Sequence, residues 1–142
     1  MAESSCPFCN ILALRPEEIH FETNHFFAFT PLFPINNGHI LIVPKRHIAD
    51  LFSLNTKESL DFRNALSAGK NFLDEHFHPD GYNLGVNSGA AAGQSVFHLH
   101  FHLILRFTGD VPDPYGGIIR GLIQRYKNSP RPSELPELDG SS

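Results

Sequence analysis

The chain has no tryptophan, one methionine and two cysteines in 142 residues. It also has no run of about eighteen apolar residues, the length a helix needs to cross a bilayer. Its opening Met1-Ala2-Glu3-Ser4-Ser5 lacks the positive and apolar regions of a secretory signal, so a cytoplasmic protein with no membrane partner is expected. Clustered cations are missing too. The 11 Lys and Arg are scattered against 15 Asp and Glu, for a net charge of −4. That leaves no electrostatic footprint for nucleic acid or an anionic membrane, although small anions remain admissible ligands. The two cysteines stand in Cys6-Pro7-Phe8-Cys9, and in a reducing compartment that spacing marks a metal or redox site more often than a structural disulfide.

What is present describes one globular domain. Apolar residues make up 41 % of the chain and phenylalanine alone contributes 13, which excludes general disorder at a length suited to a single core. Phe26 to Thr30 reads as a strand, and Pro31-Leu32-Phe33-Pro34 interrupts it before a turn at Asn36-Asn37-Gly38. His39 to Val43, ended by Pro44, is a second strand, forming a hairpin with the first across a long connection. Asn55 or Thr56 caps a helix running to about Phe77, because Phe62, Leu66, Gly69, Leu73 and Phe77 recur with helical spacing. Tyr82 to Asn87 is a short strand, Ser88 to Gly93 a small-residue loop, and Val96 to Leu105 an unbroken strand. Gly116 to Ile123 is an apolar segment of undecided structure. The domain spans residues 1–127, and 128–142, rich in Pro, Ser, Glu and Gly, form a disordered tail.

The chemistry concentrates in Phe97-His98-Leu99-His100-Phe101-His102-Leu103. Strand side chains have a period of two, so His98, His100 and His102 share one face while Leu99, Phe101 and Leu103 face the core. Neighbouring imidazoles then lie about 6.5–7 Å apart. A merely solvated face would carry Lys, Glu or Thr; three imidazoles fit proton transfer, nucleophilic attack or metal binding near neutral pH.

The run Gly93-Gln94-Ser95-Val96-Phe97-His98-Leu99-His100-Phe101-His102-Leu103 resembles the signature of the histidine triad (HIT) family. Similarity extends to Cys6-Pro7-Phe8-Cys9, to Gly38-His39-Ile40-Leu41-Ile42-Val43-Pro44-Lys45-Arg46-His47 and to Asn87, leaving only the tail uncovered. The resemblance implies an α+β fold with an antiparallel sheet of about five strands and one main helix packed on it, in a homodimer. It also implies a hydrolase cleaving at the α-phosphate of dinucleoside polyphosphates or nucleoside phosphoramidates. The alternatives are a nucleotidyl transferase or phosphorylase, or a nucleotide-sensing binding protein.

By the same resemblance His100 is the nucleophile that forms a nucleotidyl-histidine intermediate; its second nitrogen needs an acceptor to fix the tautomer, and a backbone carbonyl is expected there. His102 bonds the phosphate, Gln94 and Ser95 hold non-bridging and leaving-group oxygens, and Asn87 and Gly93 lie at the phosphate site, with His39 behind the triad. Cys6, Cys9, His47 and His98 correspond to the ligands of one structural zinc per chain. Phe29 and Leu32 are expected to line a slot for the base, and His20, His25, His76 and His78 to lie on the surface. Two departures stand out. Thr30-Pro31 replaces an acidic residue that holds ribose hydroxyls in many relatives, leaving sugar recognition to Asn36 or Asn37. Leu103-Ile104-Leu105-Arg106 replaces the Ile-Pro-Arg of several relatives, so the triad strand should run slightly longer.

Overall fold

Residues 5–115 are described by a computed structural model. In chain order the elements are α1 (Pro7–Leu14), β1 (Ile19–Glu22), β2 (Phe26–Phe29), β3 (Ile40–Pro44), α2 (Thr56–Phe77), β4 (Gly81–Val86) and β5 (Phe101–Arg106). The strands form one antiparallel sheet in the order β1-β2-β3-β5-β4. No helix among the described residues is long and apolar enough to cross a membrane. Residues up to Asp110 form one compact unit, and a second begins at Val111. The expected domain end at 127, the 116–123 segment and the tail lie outside the described residues.

Residue parity divides the core into two layers. Phe26, Ala28, Ile40 and Ile42 pack with Leu99, Phe101, Leu103 and Leu105 against Ala65 and Leu73 of α2. Phe27, Phe29, Leu41 and Val43 point the other way and pack against Cys6, Phe8, Cys9 and Ile11 at α1. Covered on both faces, β2 and β3 are buried at every position, which is why they read as continuous apolar runs.

Helix α2 begins at a capping box: the Asn55 side chain accepts from Glu58 N–H at 2.8 Å and Glu58 Oε1 accepts from Asn55 N–H at 3.0 Å. Gly69 lets the helix settle onto the sheet, since a Cβ there would stand 3.0 Å from Leu103 Cδ2 and 3.3 Å from Ile42 Cδ1. Gly38, before β3, has φ +97°, and a Cβ on it would fall 2.3 Å from Leu105 Cδ1. Gly38→Ala therefore combines backbone strain with an overlap in the core, and is expected to cost ~2–4 kcal/mol. Chemical denaturation would detect this, and an unchanged midpoint would refute the packing assigned to that turn.

Three elements differ from the sequence expectation. Helix α1 was not anticipated; it starts because Cys6 Sγ accepts the Cys9 N–H at 3.4 Å and Pro7 occupies the first turn, where its missing N–H costs nothing. Strand β1, the fifth strand, is four residues long and alternates half-buried with exposed positions. The hydrogen-bonded part of the triad strand begins at Phe101 rather than Val96. The register Ile40↔Leu103, Ile42↔Phe101 would next set Leu99 opposite Pro44, which has no N–H to give. Leu99 N–H bonds Ile48 O instead, at 2.7 Å.

Candidate active site and metal centre

The histidines keep the alternation although His98 and His100 precede the ladder. Leu99 joins the layer under α2, while His100 and Phe8 make an edge-on ring contact on the α1 side. The His100 and His102 ring centroids are 5.2 Å apart, closer than the backbone repeat suggests, because the rings tilt edge to face at 66°.

Backbone groups fix the tautomer of each histidine. His98 Nε2 lies 2.7 Å from Pro44 O, so that nitrogen carries the hydrogen and Nδ1 is left as a lone pair. His100 Nδ1 lies 2.8 Å from His98 O, so Nδ1 carries the hydrogen and Nε2 is the free nucleophilic nitrogen. At His102 the assignment passes through His39. Ile35 N–H donates to His39 Nδ1 at 3.0 Å, which places the His39 hydrogen on Nε2, 3.0 Å from His102 Nδ1. His102 thus accepts at Nδ1 and keeps a donor at Nε2.

Burial keeps these rings neutral. It lowers His98, His102 and His39 to about 4 and lowers His100 as well, the last opposed by its bond to the His98 carbonyl. The unfolded chain therefore binds more protons than the folded one between about pH 6.5 and 4. His39 and His102 contribute no pH dependence above that window, and stability is lost as the pH falls through it. Thermal melts from pH 7.5 to 4.5 should show the midpoint falling with acid below about 6.5; a midpoint rising toward acid would contradict neutral buried rings.

The loop ahead of the triad is held open by glycine and clamped by Gln94. Gly89 and Gly93 both have φ +93°. Gln94 is 4 % exposed; its Oε1 accepts from Gly89 N–H at 2.8 Å and its Nε2 donates to Ala49 O at 2.6 Å and Val96 O at 3.1 Å. Its amide thus shapes the loop and does not face an open space. Asn87 Nδ2 lies 3.8 Å from where a Gly93 Cβ would stand. Ser95 is exposed and lines a cleft of about 330 Å³ with Cys6, Pro7, His47 and Phe97.

On the far side of His98, Cys6, Cys9, His47 and His98 direct their donor atoms to one point, all within 4.8 Å of one another. The separations are 3.3 Å for Cys6 Sγ to His98 Nδ1, 3.4 Å for Cys9 Sγ to His47 Nδ1, and 3.1 Å for the two Nδ1 atoms. A tetrahedral Zn²⁺ with bonds of about 2.3 Å to sulfur and 2.0 Å to nitrogen separates its donors by roughly 3.3–3.8 Å. Two thiols and two imidazoles thus fit a closed site. Without an ion, burial raises the Cys6 thiol; a bound cation would favour its thiolate. Arg46 fixes the loop bearing His47 by a two-pronged bond to the buried Glu58 at 2.7 and 3.0 Å.

The proposed base and sugar contacts are not brought together. Phe29 is 3 % exposed, its ring enclosed by Phe8 at 5.3 Å and Phe27 at 5.8 Å, whereas Leu32 is 86 % exposed. Phe29 is thus core in the free chain. Asn36 Nδ2 donates to Leu105 O at 2.9 Å, and Thr30 Oγ1 meets His20 Nε2 at 2.7 Å. Sequence reasoning missed Phe8, which touches His98 and His100, and the Ile35 N–H that sets the His39 tautomer. Phe8 is legible only as one of the two residues enclosed between the cysteines; a backbone N–H leaves no mark in a sequence.

Comparisons with known proteins agree with this geometry. The HIT domain family model matches residues 14–109. Protein hit of Bacillus subtilis (strain 168) is 30 % identical over 138 residues, covering 96 % of this chain and 91 % of that protein. The bis(5'-adenosyl)-triphosphatase of Dictyostelium discoideum is 36 % identical over 93 residues, covering 66 % and 62 %. The crystal structure of a Zn-bound histidine triad family protein from Mycobacterium smegmatis matches with a TM-score of 0.66 at 30 % identity, covering 77 % of this chain and 84 % of that one.

Proposed function

The chain belongs to the HIT family, and on that premise we propose that it is a nucleotide hydrolase cleaving at the α-phosphate of dinucleoside polyphosphates or nucleoside phosphoramidates. One observation carries the reading: His100 is neutral, with Nδ1–H held by the His98 carbonyl, and so offers a lone pair at Nε2. In the first step that pair forms a bond to the α-phosphorus, and the bond to the leaving group breaks, its electron pair departing with the leaving group. Water then attacks the phosphorus, the P–N bond breaks, and nucleoside monophosphate and free His100 result.

The other residues stabilise charge or hold geometry. His102 Nε2–H donates to a non-bridging oxygen as negative charge grows there. The Ser95 hydroxyl serves the leaving group, Asn87 and Gly93 border the phosphates, and Gln94 acts through the loop it clamps. His39 keeps His102 in the donor tautomer. Cys6, Cys9, His47 and His98 hold a structural zinc, which when bound supplies cross-linking of three chain segments and no open position for chemistry.

Rapid quenching with adenosine phosphoramidate, and separately with bis(5'-adenosyl) triphosphate, followed by peptide mass spectrometry, tests the mechanism. The expected result is a nucleoside monophosphate adduct on His100. Failure to cleave either compound, or an adduct on another residue, would reject it.

The working unit is a homodimer formed through β4 and α2. β4 pairs with β5 on one side only, and Leu84 on it is 44 % exposed, as is Leu60 on α2 at 71 %. Light scattering at micromolar concentration should give twice the chain mass, and a fully active monomer would refute the dimer.

A further inference from the structure

Two contacts join the metal centre to His100, and neither involves substrate. His98 takes part in both sites: its side chain contributes Nδ1 to the four-donor cluster, and its carbonyl accepts the His100 Nδ1–H at 2.8 Å. Phe8 makes the second connection. It lies between Cys6 and Cys9 in the first turn of α1, is 8 % exposed, and sets its ring edge-on against His98 at 5.8 Å and His100 at 5.1 Å. Phe29 closes over it at 5.3 Å.

We propose that Phe8 is a positioning residue through which the Cys6–Cys9–His47–His98 cluster holds His100 in its attacking orientation, so that loss of the cluster's metal disables the nucleophile. The inference rests on the reading of His100 as nucleophile, but its physical content is the orientation of one imidazole.

The anchorage of α1 links the cluster to the ring. This helix is eight residues long, too short to be stable by itself, and its burial residues are Phe8, Cys9 and Ile11. Two of the four donors, Cys6 and Cys9, sit at its start, so an ion there fixes the helix end that carries Phe8. His100 precedes the β5 ladder, so sheet hydrogen bonding does not fix its backbone. That ring is held by the His98 carbonyl below it, by the His102 ring on the strand and by the Phe8 edge, the one of these contacts that α1 supplies. Releasing α1 removes the edge, and loosening His98 weakens the carbonyl contact. An imidazole misplaced by about 1 Å is enough to cost roughly a hundredfold in rate.

The test compares wild-type protein, Phe8→Leu and chelator-treated wild type, with two readouts. Phe8→Leu keeps most of the apolar volume but removes the flat ring edge, and metal analysis establishes that it still holds its ion. The first readout needs no substrate: the His100 Nδ1–H, hydrogen-bonded to a carbonyl, gives an imidazole proton resonance protected from solvent exchange. It should be present in metal-loaded wild type and lost to exchange in both Phe8→Leu and chelated protein. The second is steady-state cleavage of adenosine phosphoramidate, where Phe8→Leu should lower kcat by about ten- to a hundredfold while KM stays within about twofold.

A protected His100 proton in all three samples would overturn the proposal, as would a Phe8→Leu enzyme with wild-type kcat. If the wild type cleaves no nucleotide, the proposed function fails while the imidazole resonance still decides this inference. Should Phe8→Leu not fold, Phe8→Met provides the same comparison, and the chelated wild type stands independently.

Discussion

His100→Ala is expected to lower nucleotide cleavage by about 10³-fold or more in kcat, with nucleotide binding and folding largely retained. The imidazole supplies the only nitrogen in the triad that is free to attack. His98 Nε2 is bonded to Pro44 O and its Nδ1 is turned into the four-donor cluster, while His102 Nδ1 is bonded to His39. Neither neighbour can take over the attack without breaking a buried contact. The loop clamped by Gln94 does not depend on His100, so phosphate contacts survive the substitution. Steady-state kinetics gives the loss of turnover, and calorimetric titration with a non-hydrolysable dinucleotide should give a Kd within a few-fold of wild type. A variant keeping a tenth of wild-type activity on the best substrate would sink the covalent mechanism.

Removing one cluster ligand should have the largest effect on stability. Protein purified without added metal is expected to contain one zinc per chain. Cys9→Ser should lower the thermal midpoint by about 10 °C or more, since a loss of ~3 kcal/mol shifts the midpoint of a domain this size by roughly that amount. Cys9 Sγ lies 3.4 Å from His47 Nδ1 and 3.5 Å from His98 Nδ1, so a hydroxyl there replaces a thiolate at the centre of the donor set. Chelation of wild type should produce a comparable drop, and chelation of Cys9→Ser little more, because both remove the same cross-link between α1, the segment after β3 and the segment before β5. Zinc well below one equivalent, together with full stability after chelation, would reject the site.

The triad and the metal set were legible for different reasons. Alternation alone put His98, His100 and His102 on one face, because a strand's period of two is a property of the backbone. The same rule did not show that the ladder stops at Phe101; this depended on Pro44 lying across from Leu99, a fact of register between strands far apart in sequence. Cys6 and Cys9 announced themselves by spacing. Their partners, 38 to 92 residues away, followed only from family resemblance until the fold brought them together. Gln94 and Phe29 mark the opposite case. Gln94 reads as a substrate contact by its place in the motif and Phe29 as the wall of an apolar slot, yet each has its side chain occupied inside the free protein, by backbone groups around the loop or by the rings of Phe8 and Phe27.

By itself, the sequence determined that β2 and β3 are apolar runs and that α2 carries one apolar stripe, where α2 begins, and that three imidazoles alternate beside a glycine loop. These are local consequences of periodicity, capping and turn chemistry. Only the tertiary structure decided which nitrogen of each histidine carries its hydrogen. The atoms that decide it are the carbonyl oxygens of Pro44 and His98 and the N–H of Ile35, main-chain groups whose partners no residue type announces. A backbone carbonyl or N–H acquires a role only when folding sets a particular ring against it.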